Sequence, residues 1–204
     1  MEVSARGQRV YLKSLEKGDA AEMAKKANSK EIARYIGRPG EFPSPYSETD
    51  AIAFIDDAAA RLRDKSAFHF GIRLNGGGLI GVCGVHRLDY SSMKGEIGYW
   101  LGREHWGKGY AREALTLLLG FCFNGLRLNR VTATAFSFNE RSIRLLNALN
   151  FVKEGTLRQN TLYGDAFIDD IVFGILADEY GKSTDVRVKI ADGSGEKIRD
   201  AHSI

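Results

Sequence analysis

Glu104-His105-Trp106-Gly107-Lys108-Gly109-Tyr110-Ala111-Arg112-Glu113-Ala114-Leu115 is the stretch on which the fold turns. It follows a strand-like run, Gly95-Glu96-Ile97-Gly98-Tyr99-Trp100-Leu101, and passes into an apolar helical pattern that continues to about Phe123. A strand, a glycine-bearing turn and a helix, in that order, build a site for phosphate. Gly107 and Gly109 let the backbone come close to a ligand. The first amides of the helix have no partner inside it, and its dipole puts partial positive charge at the same spot. Two familiar variants are excluded. A P-loop needs Gly-Lys followed by Ser or Thr, and Lys108 is followed by Gly109. The dinucleotide fingerprint G-x-G-x-x-G needs a third glycine where Arg112 stands. The turn alone leaves phosphate binding and simple tight packing both open, so its surroundings have to decide.

Outward from the turn, elements follow one another with clear punctuation. Residues 9–15 alternate and read as a first strand. Asp19 reads as the cap of a helix over residues 20–27, and a short helix follows over residues 31–36. Pro39, Pro43 and Pro45 confine all the prolines of the chain to one shaped loop. Ser47 or Thr49 starts a helix to Asp64, with Ala51, Phe54, Ile55, Ala58 and Leu62 on one face. Residues 67–74 and 79–87 form a hairpin through Asn75-Gly76-Gly77-Gly78. Beyond the central helix come a strand over 130–135, a helix over 139–149 and two strands, 151–161 and 166–176, joined at Tyr163-Gly164-Asp165. Strands in series with helices between some of them predict a mixed sheet covered by helices. From Gly181 the chain is polar and reads as a mobile terminus or a binding arm.

The chain has 204 residues, 29 Lys+Arg against 26 Asp+Glu, and a formal net charge of +3. That length suits one domain with a sizeable core. The small charge gives no ground for nucleic acid or an anionic membrane surface as a partner. Cys83 and Cys122 sit in apolar patterns and read as small buried thiols. No apolar run is long enough to cross a bilayer, and the first residues lack a signal peptide's apolar stretch, so a cytoplasmic protein is expected. His69, His86, His105 and His202 are scattered and suggest no metal site.

Three pieces in order carry a family likeness: Glu96-Ile97-Gly98-Tyr99-Trp100-Leu101, then Trp106-Gly107-Lys108-Gly109-Tyr110-Ala111-Arg112-Glu113-Ala114, then Asn139-Glu140-Arg141-Ser142-Ile143-Arg144-Leu145-Leu146, ending at Asn150-Phe151. With them the chain resembles the GNAT superfamily of acyl-CoA-dependent N-acetyltransferases, and within it the ribosomal-protein (RimJ/RimL-type) branch. The likeness covers residues 8–180, which it implies are one domain, with 181–204 as a polar tail. It implies an α+β (α/β) GNAT fold: a mixed, mostly antiparallel central sheet with a V-shaped splay and helices on both faces.

The resemblance also assigns roles. Acetyl-CoA is the implied cosubstrate, with no metal. Its pyrophosphate would meet the backbone amides of Trp106, Gly107, Lys108, Gly109, Tyr110 and Ala111. Glu104 stands where the family's Q/R-x-x-G-x-G/A pattern has Gln or Arg, which removes the usual side chain but not the amides. Lys108 either adds charge to a phosphate or is a solvated turn lysine. The pantetheine arm would pair with the backbone of residues 99–102, Trp100 and Leu101 among them, opposite residues 133–136. Asn139 would touch that arm, cap the following helix, or do both. Ser142 lies within one helical turn of Asn139 and would either touch the coenzyme sulfur or protonate the leaving thiolate. Many relatives keep a tyrosine one turn later for that task, and here Leu146 occupies the place.

An ammonium has no lone pair, so the acceptor must lose a proton before attack. Glu96, on the strand leading to the turn, is the expected base, the alternative being a surface glutamate at a strand start. A glutamate that some relatives use as base falls at Thr161 here. Asp169 and Asp170 read as solvated strand-edge residues rather than substrate anchors, and His86 as structural rather than cleft-lining. The implied reaction is acetyl transfer to a primary amine by direct attack in a ternary complex. The branch points to a protein N-terminus as acceptor. A small-molecule acceptor (a polyamine, amino sugar or aminoglycoside) is the first alternative, and a non-catalytic acyl-CoA-binding module the second. Residues 36–47 are expected to wall the acceptor cleft, and a homodimer is left open.

Overall fold

The computed structural model describes residues 2–37, 42–180 and 188–191. Among these, nine strands form one sheet: β1 (Glu2–Arg6), β2 (Val10–Ser14), β3 (Phe68–Leu74), β4 (Leu79–Asp89), β5 (Lys94–Leu101), β6 (Arg130–Phe136), β7 (Val152–Tyr163), β8 (Ala166–Leu176) and β9 (Val188–Ala191). Their order is β7-β8-β6-β5-β4-β3-β2-β1-β9. The helices are α1 (Ala20–Ala27), α2 (Lys30–Ala33), α3 (Glu48–Asp64), α4 (Tyr110–Gly120), α5 (Glu140–Ala148) and α6 (Ala177–Tyr180). One mixed sheet with helices packed on it matches the architecture expected from sequence.

Every neighbouring pair in the sheet is antiparallel except β5 with β6. That parallel pair joins only Lys94 to Arg130, Gly95 to Val131 and Glu96 to Thr132. Beyond Glu96 the strands part, leaving residues 97–101 of β5 and 133–136 of β6 facing each other across an open wedge. The expected splay therefore opens directly after the glutamate singled out as base.

Two apolar layers cover the sheet. On one face α4 and α5 pack over Ile97, Leu101, Val131, Ala133 and Ala135. On the other, α1 and α3 pack over Val82, with Trp100 beside them. Trp100 and Leu101 are consecutive on one strand and so point to opposite faces. Burial of these two layers removes most of the chain's large apolar side chains from water, the dominant stabilising term. At its C-terminal end α4 widens into a π-helical turn, Phe121–Gly125, and Phe121 meets the rings of Phe68 and Phe70 edge-on at 5.1 and 5.2 Å. Both cysteines are buried and free, and burial pushes both thiols up.

The local signals hold at α3, where the Ser47 hydroxyl accepts from the Asp50 amide and the Asp50 carboxylate accepts from the Ser47 amide. They need correction in three places. Asp19 occupies the capping position of α1 but gives that helix no side-chain bond. It instead accepts from the Glu16 amide at 2.9 Å and pairs with Arg73 of β3. The helix expected over 31–36 is the shorter α2, Lys30–Ala33, followed by a turn. From 181 the chain read as a mobile terminus or a binding arm, and of that stretch Val188–Ala191 pairs with β1, itself a strand not expected from sequence. Both strands lie outside residues 8–180 and lengthen the sheet at that edge.

Candidate active site

The open wedge of the sheet leads into a cavity of about 860 Å³. Its walls are β5, β6, the turn before α4 and the first turns of α4 and α5, with α2 and the loop after it, the end of β4, and parts of β7 and β8. Of the expected acceptor wall at 36–47, residues 38–41 lie outside the described residues.

At the turn, Gly107 and Gly109 have φ of 73° and 79°, the left-handed region that excludes most side chains. The amides from Gly107 to Arg112 find no hydrogen-bond acceptor among the described residues. Six donors thus open on one side of the helix start, where the dipole adds positive charge. Trp106, Gly107, Gly109, Tyr110 and Ala111 line the cavity, as do Trp100 and Leu101. Lys108 does not: it is exposed, and its carbonyl accepts from Arg9 at 3.0 Å. Arg112, Arg141 and Arg144 add formal positive charge around the same wall.

The turn is braced by residues that its own sequence does not announce. Arg9 bonds Glu113 at 2.9 Å and lies 5.3 Å from the centre of the Tyr110 ring. Glu113 also accepts from the amides of Arg9 and Val10 at 2.7 and 3.2 Å, which ties α4 to β2. Trp106 donates its indole N–H to the Leu101 carbonyl at 2.8 Å. Glu104 is turned to a different use from the family's Gln or Arg. It pairs with Lys26 of α1, whose hydrogen bond holds the Glu104 carboxyl below its ordinary range.

On α5, the Asn139 side chain accepts from the Ser142 amide at 3.2 Å, so it caps the helix while lining the cavity. The Ser142 hydroxyl lies 2.6 Å from the Tyr99 hydroxyl. Tyr99 comes from β5, on the face toward α5. Burial pushes its phenol up to about 12, opposed by the bond to Ser142. Leu146, in the place of the tyrosine common in relatives, is fully buried. The tyrosine beside Ser142 is thus supplied by a strand more than forty residues earlier in the chain.

Glu96 also lines the cavity, on the opposite face from Tyr99, and accepts from Arg87 Nη1 at 2.7 Å. Its register partner on β4 is His86, which burial lowers and Glu96 raises. His86 lines the cavity too, and stacks with His69 at 6.5 Å. Asp170 overturns the expectation of a solvated strand edge: it is 5% exposed and lines the cavity. Among the described residues, no group of three or more His, Cys, Asp or Glu is arranged to hold a metal. No helix among them is long and apolar enough to cross a membrane.

A wedge in a mixed sheet, with bare helix-start amides beside it, is the architecture that the family likeness implies. The chain belongs to the acetyltransferase (GNAT) domain family, whose model matches residues 9–152. It is 35% identical over 174 residues to the uncharacterized N-acetyltransferase p20 of Bacillus licheniformis, covering 85% of this chain and 96% of that one. It is 31% identical over 166 residues to the putative ribosomal N-acetyltransferase YdaF of Bacillus subtilis, covering 80% and 88%. The fold is shared with Mycobacterium smegmatis RimJ, solved in complex with CoA-disulfide, at a TM-score of 0.78 and 24% identity, covering 88% of each chain.

Proposed function

We propose that this protein transfers an acetyl group from acetyl-CoA to a primary amine, and that the acceptor is the N-terminal amine of a protein. The observation that carries the reading is the row of six amides, 107–112, that have no acceptor among the described residues and open beside the wedge. These donors would take the pyrophosphate, and the unpaired edge at 99–102 would take the amides of the pantetheine arm. The thioester would then lie near Ser142, with the acceptor on the Glu96 face.

The amine nitrogen attacks the thioester carbonyl carbon, the C–N bond forms and the C–S bond breaks. The ammonium proton passes to Glu96, directly or through water. The leaving sulfur takes a proton from the Ser142 hydroxyl, which Tyr99 replaces. A phenol pushed up to about 12 holds its proton at neutral pH, and after the relay Tyr99 regains one from solvent, to which Glu96 releases the proton it took from the ammonium.

The charge balance of the cavity supports an acceptor with few positive charges. Arg112, Arg141 and Arg144 stand at the turn and α5, whereas on the Glu96 face the lining holds Arg87, paired with Glu96, and the two acids Glu96 and Asp170. A polyamine or aminoglycoside carries several ammonium groups and would require more carboxylates than that. The name of YdaF, a putative ribosomal N-acetyltransferase, points the same way. The test is thiol release from acetyl-CoA with a panel of short peptides of differing N-terminal residue and a panel of small amines. Turnover with peptides is expected. Turnover confined to polyamines or amino sugars would refute the acceptor class, and binding of acetyl-CoA without release across both panels would refute catalysis.

A further inference from the structure

Asp170 is a buried carboxylate with half of its bonding capacity unused. It stands on β8, in register with Phe136 of β6 and Leu157 of β7. Its Oδ2 accepts from Asn160 Nδ2 at 2.7 Å and from Thr161 Oγ1 at 2.9 Å. Its Oδ1 is buried and has no hydrogen-bond partner among the described residues. Three of the four cavity arginines are directed elsewhere: Arg87 to Glu96, Arg144 to Glu140, and Arg141 over the Trp106 ring.

The arrangement is built rather than incidental. β7 slips register against β8 between Leu157 and Thr161, and Gln159 takes a φ of 52°. Asp169 holds that irregularity by accepting from the Gln159 amide at 2.8 Å. The slip turns Asn160 and Thr161 toward Asp170, and all three line the cavity. Thr161, one of the two donors that fix the carboxylate, is 2% exposed and so shielded from water, while Asn160 is exposed. Leaving a buried carboxylate oxygen unmet is costly, so a further donor is called for there. A cation with N–H donors has the chemistry to complete it.

Asp170 shares a sheet face with Glu96. Successive residues alternate, so Glu96 pairs with Thr132 on β6, and Thr132, Thr134 and Phe136 lie on one side together. Phe136 is the register partner of Asp170, which puts an aromatic ring next to the carboxylate. Carboxylate and ring together suit an ammonium on a slender carbon chain.

We propose that Asp170 is the specificity residue for the acceptor: its Oδ1 takes an N–H of the protonated primary amine, while Asn160 and Thr161 hold the carboxylate in position. This rests on the amine-acetylation reading above and adds the group that selects the amine by its charge. Asp170→Asn keeps the shape and removes the charge. With the best peptide acceptor from the thiol-release panel, the variant is expected to raise KM for the peptide at least tenfold and to change kcat less. Its affinity for acetyl-CoA should match the wild type.

A second readout depends on charge alone. The same peptide with its N-terminal amine replaced by hydroxyl should inhibit the wild-type protein at least tenfold more weakly than the N-methylated, still cationic peptide, and Asp170→Asn should lose that preference. Thr161→Val, which keeps the carboxylate but removes one donor, should raise KM severalfold and serves if Asp170→Asn does not fold. An unchanged KM and an unchanged preference in Asp170→Asn, or an unchanged KM in Thr161→Val where that variant stands in, would overturn the assignment while leaving amine acetylation intact. A wild-type protein that binds acetyl-CoA but acetylates no amine would overturn both.

Discussion

Replacing Gly107 by alanine separates a coenzyme-binding turn from a merely tight one. A Cβ built at Gly107 meets nothing within 4 Å, so the protein itself has room for it. The cost to folding is then only the left-handed φ of 73°, about 1–2 kcal/mol for a residue with a side chain. In a chain of this length that lowers Tm by roughly 2–8 °C. The methyl group does, however, project beside the bare amides, where phosphate oxygens would approach. Loss of one hydrogen bond to a charged group, about 1.5–3 kcal/mol, weakens coenzyme binding about 10- to 100-fold. Titration calorimetry with coenzyme A, run beside scanning calorimetry, measures the two effects separately. Gly155→Ala is the control, because Gly155 also has open space around a built Cβ but lies on β7, away from the turn. If Gly107→Ala melts lower yet binds coenzyme A as tightly as the wild type, these amides do not hold the diphosphate.

Three further outcomes follow from the site and the core. Tyr99→Phe should lower kcat by roughly 10- to 100-fold with little change in KM for acetyl-CoA, because it removes the proton behind Ser142; steady-state kinetics checks it. Glu96→Gln should lower kcat by about 100-fold at neutral pH and leave a rate that climbs with pH, as the acceptor then loses its proton to solvent. His69, lowered by burial from 6.5 to about 4, resists a proton that the unfolded chain accepts. Stability should therefore fall as pH drops from about 6.5 toward 4, by about 2 kcal/mol, and His69→Phe should flatten that slope in denaturant melts.

Features fixed by short stretches of chain were legible in the sequence. The turn needs φ above zero at two nearby positions, and Gly107 and Gly109 announce it. Ser47 and Asn139 mark helix starts because a side-chain oxygen there meets an amide three residues on. Features that depend on distant strands were not legible. Tyr99 meets Ser142 only because the sheet brings β5 under α5. The solvated reading of Asp170 failed because alternation cannot show a register slip in a neighbouring strand, and that slip buries the carboxylate. Glu104 looked like a gap in a motif, whereas its partner Lys26 lies on α1, 78 positions away. The edge strands β1 and β9 are four or five residues long and pair with each other, so neither carries a pattern long enough to read alone.

Among the described residues three register pairs and one side-chain bond, from Thr132 to the Gly95 carbonyl, stitch β5 to β6, and they divide the sheet into two leaves, one of six strands and one of three. So short a spine fixes the vertex while each leaf follows its own twist outward. The gap between the leaves is therefore set by packing around Gly95 and Val131, at the hinge line, as much as by anything lining it. A Cβ on Gly95 would press on Val85 Cγ2 at 2.8 Å and Leu88 Cδ2 at 3.0 Å within its own leaf, and on Leu128 Cδ1, just ahead of β6, at 3.3 Å. A change at that vertex, remote from every reacting atom, would alter how far the jaws stand apart and hence how bulky a guest they admit.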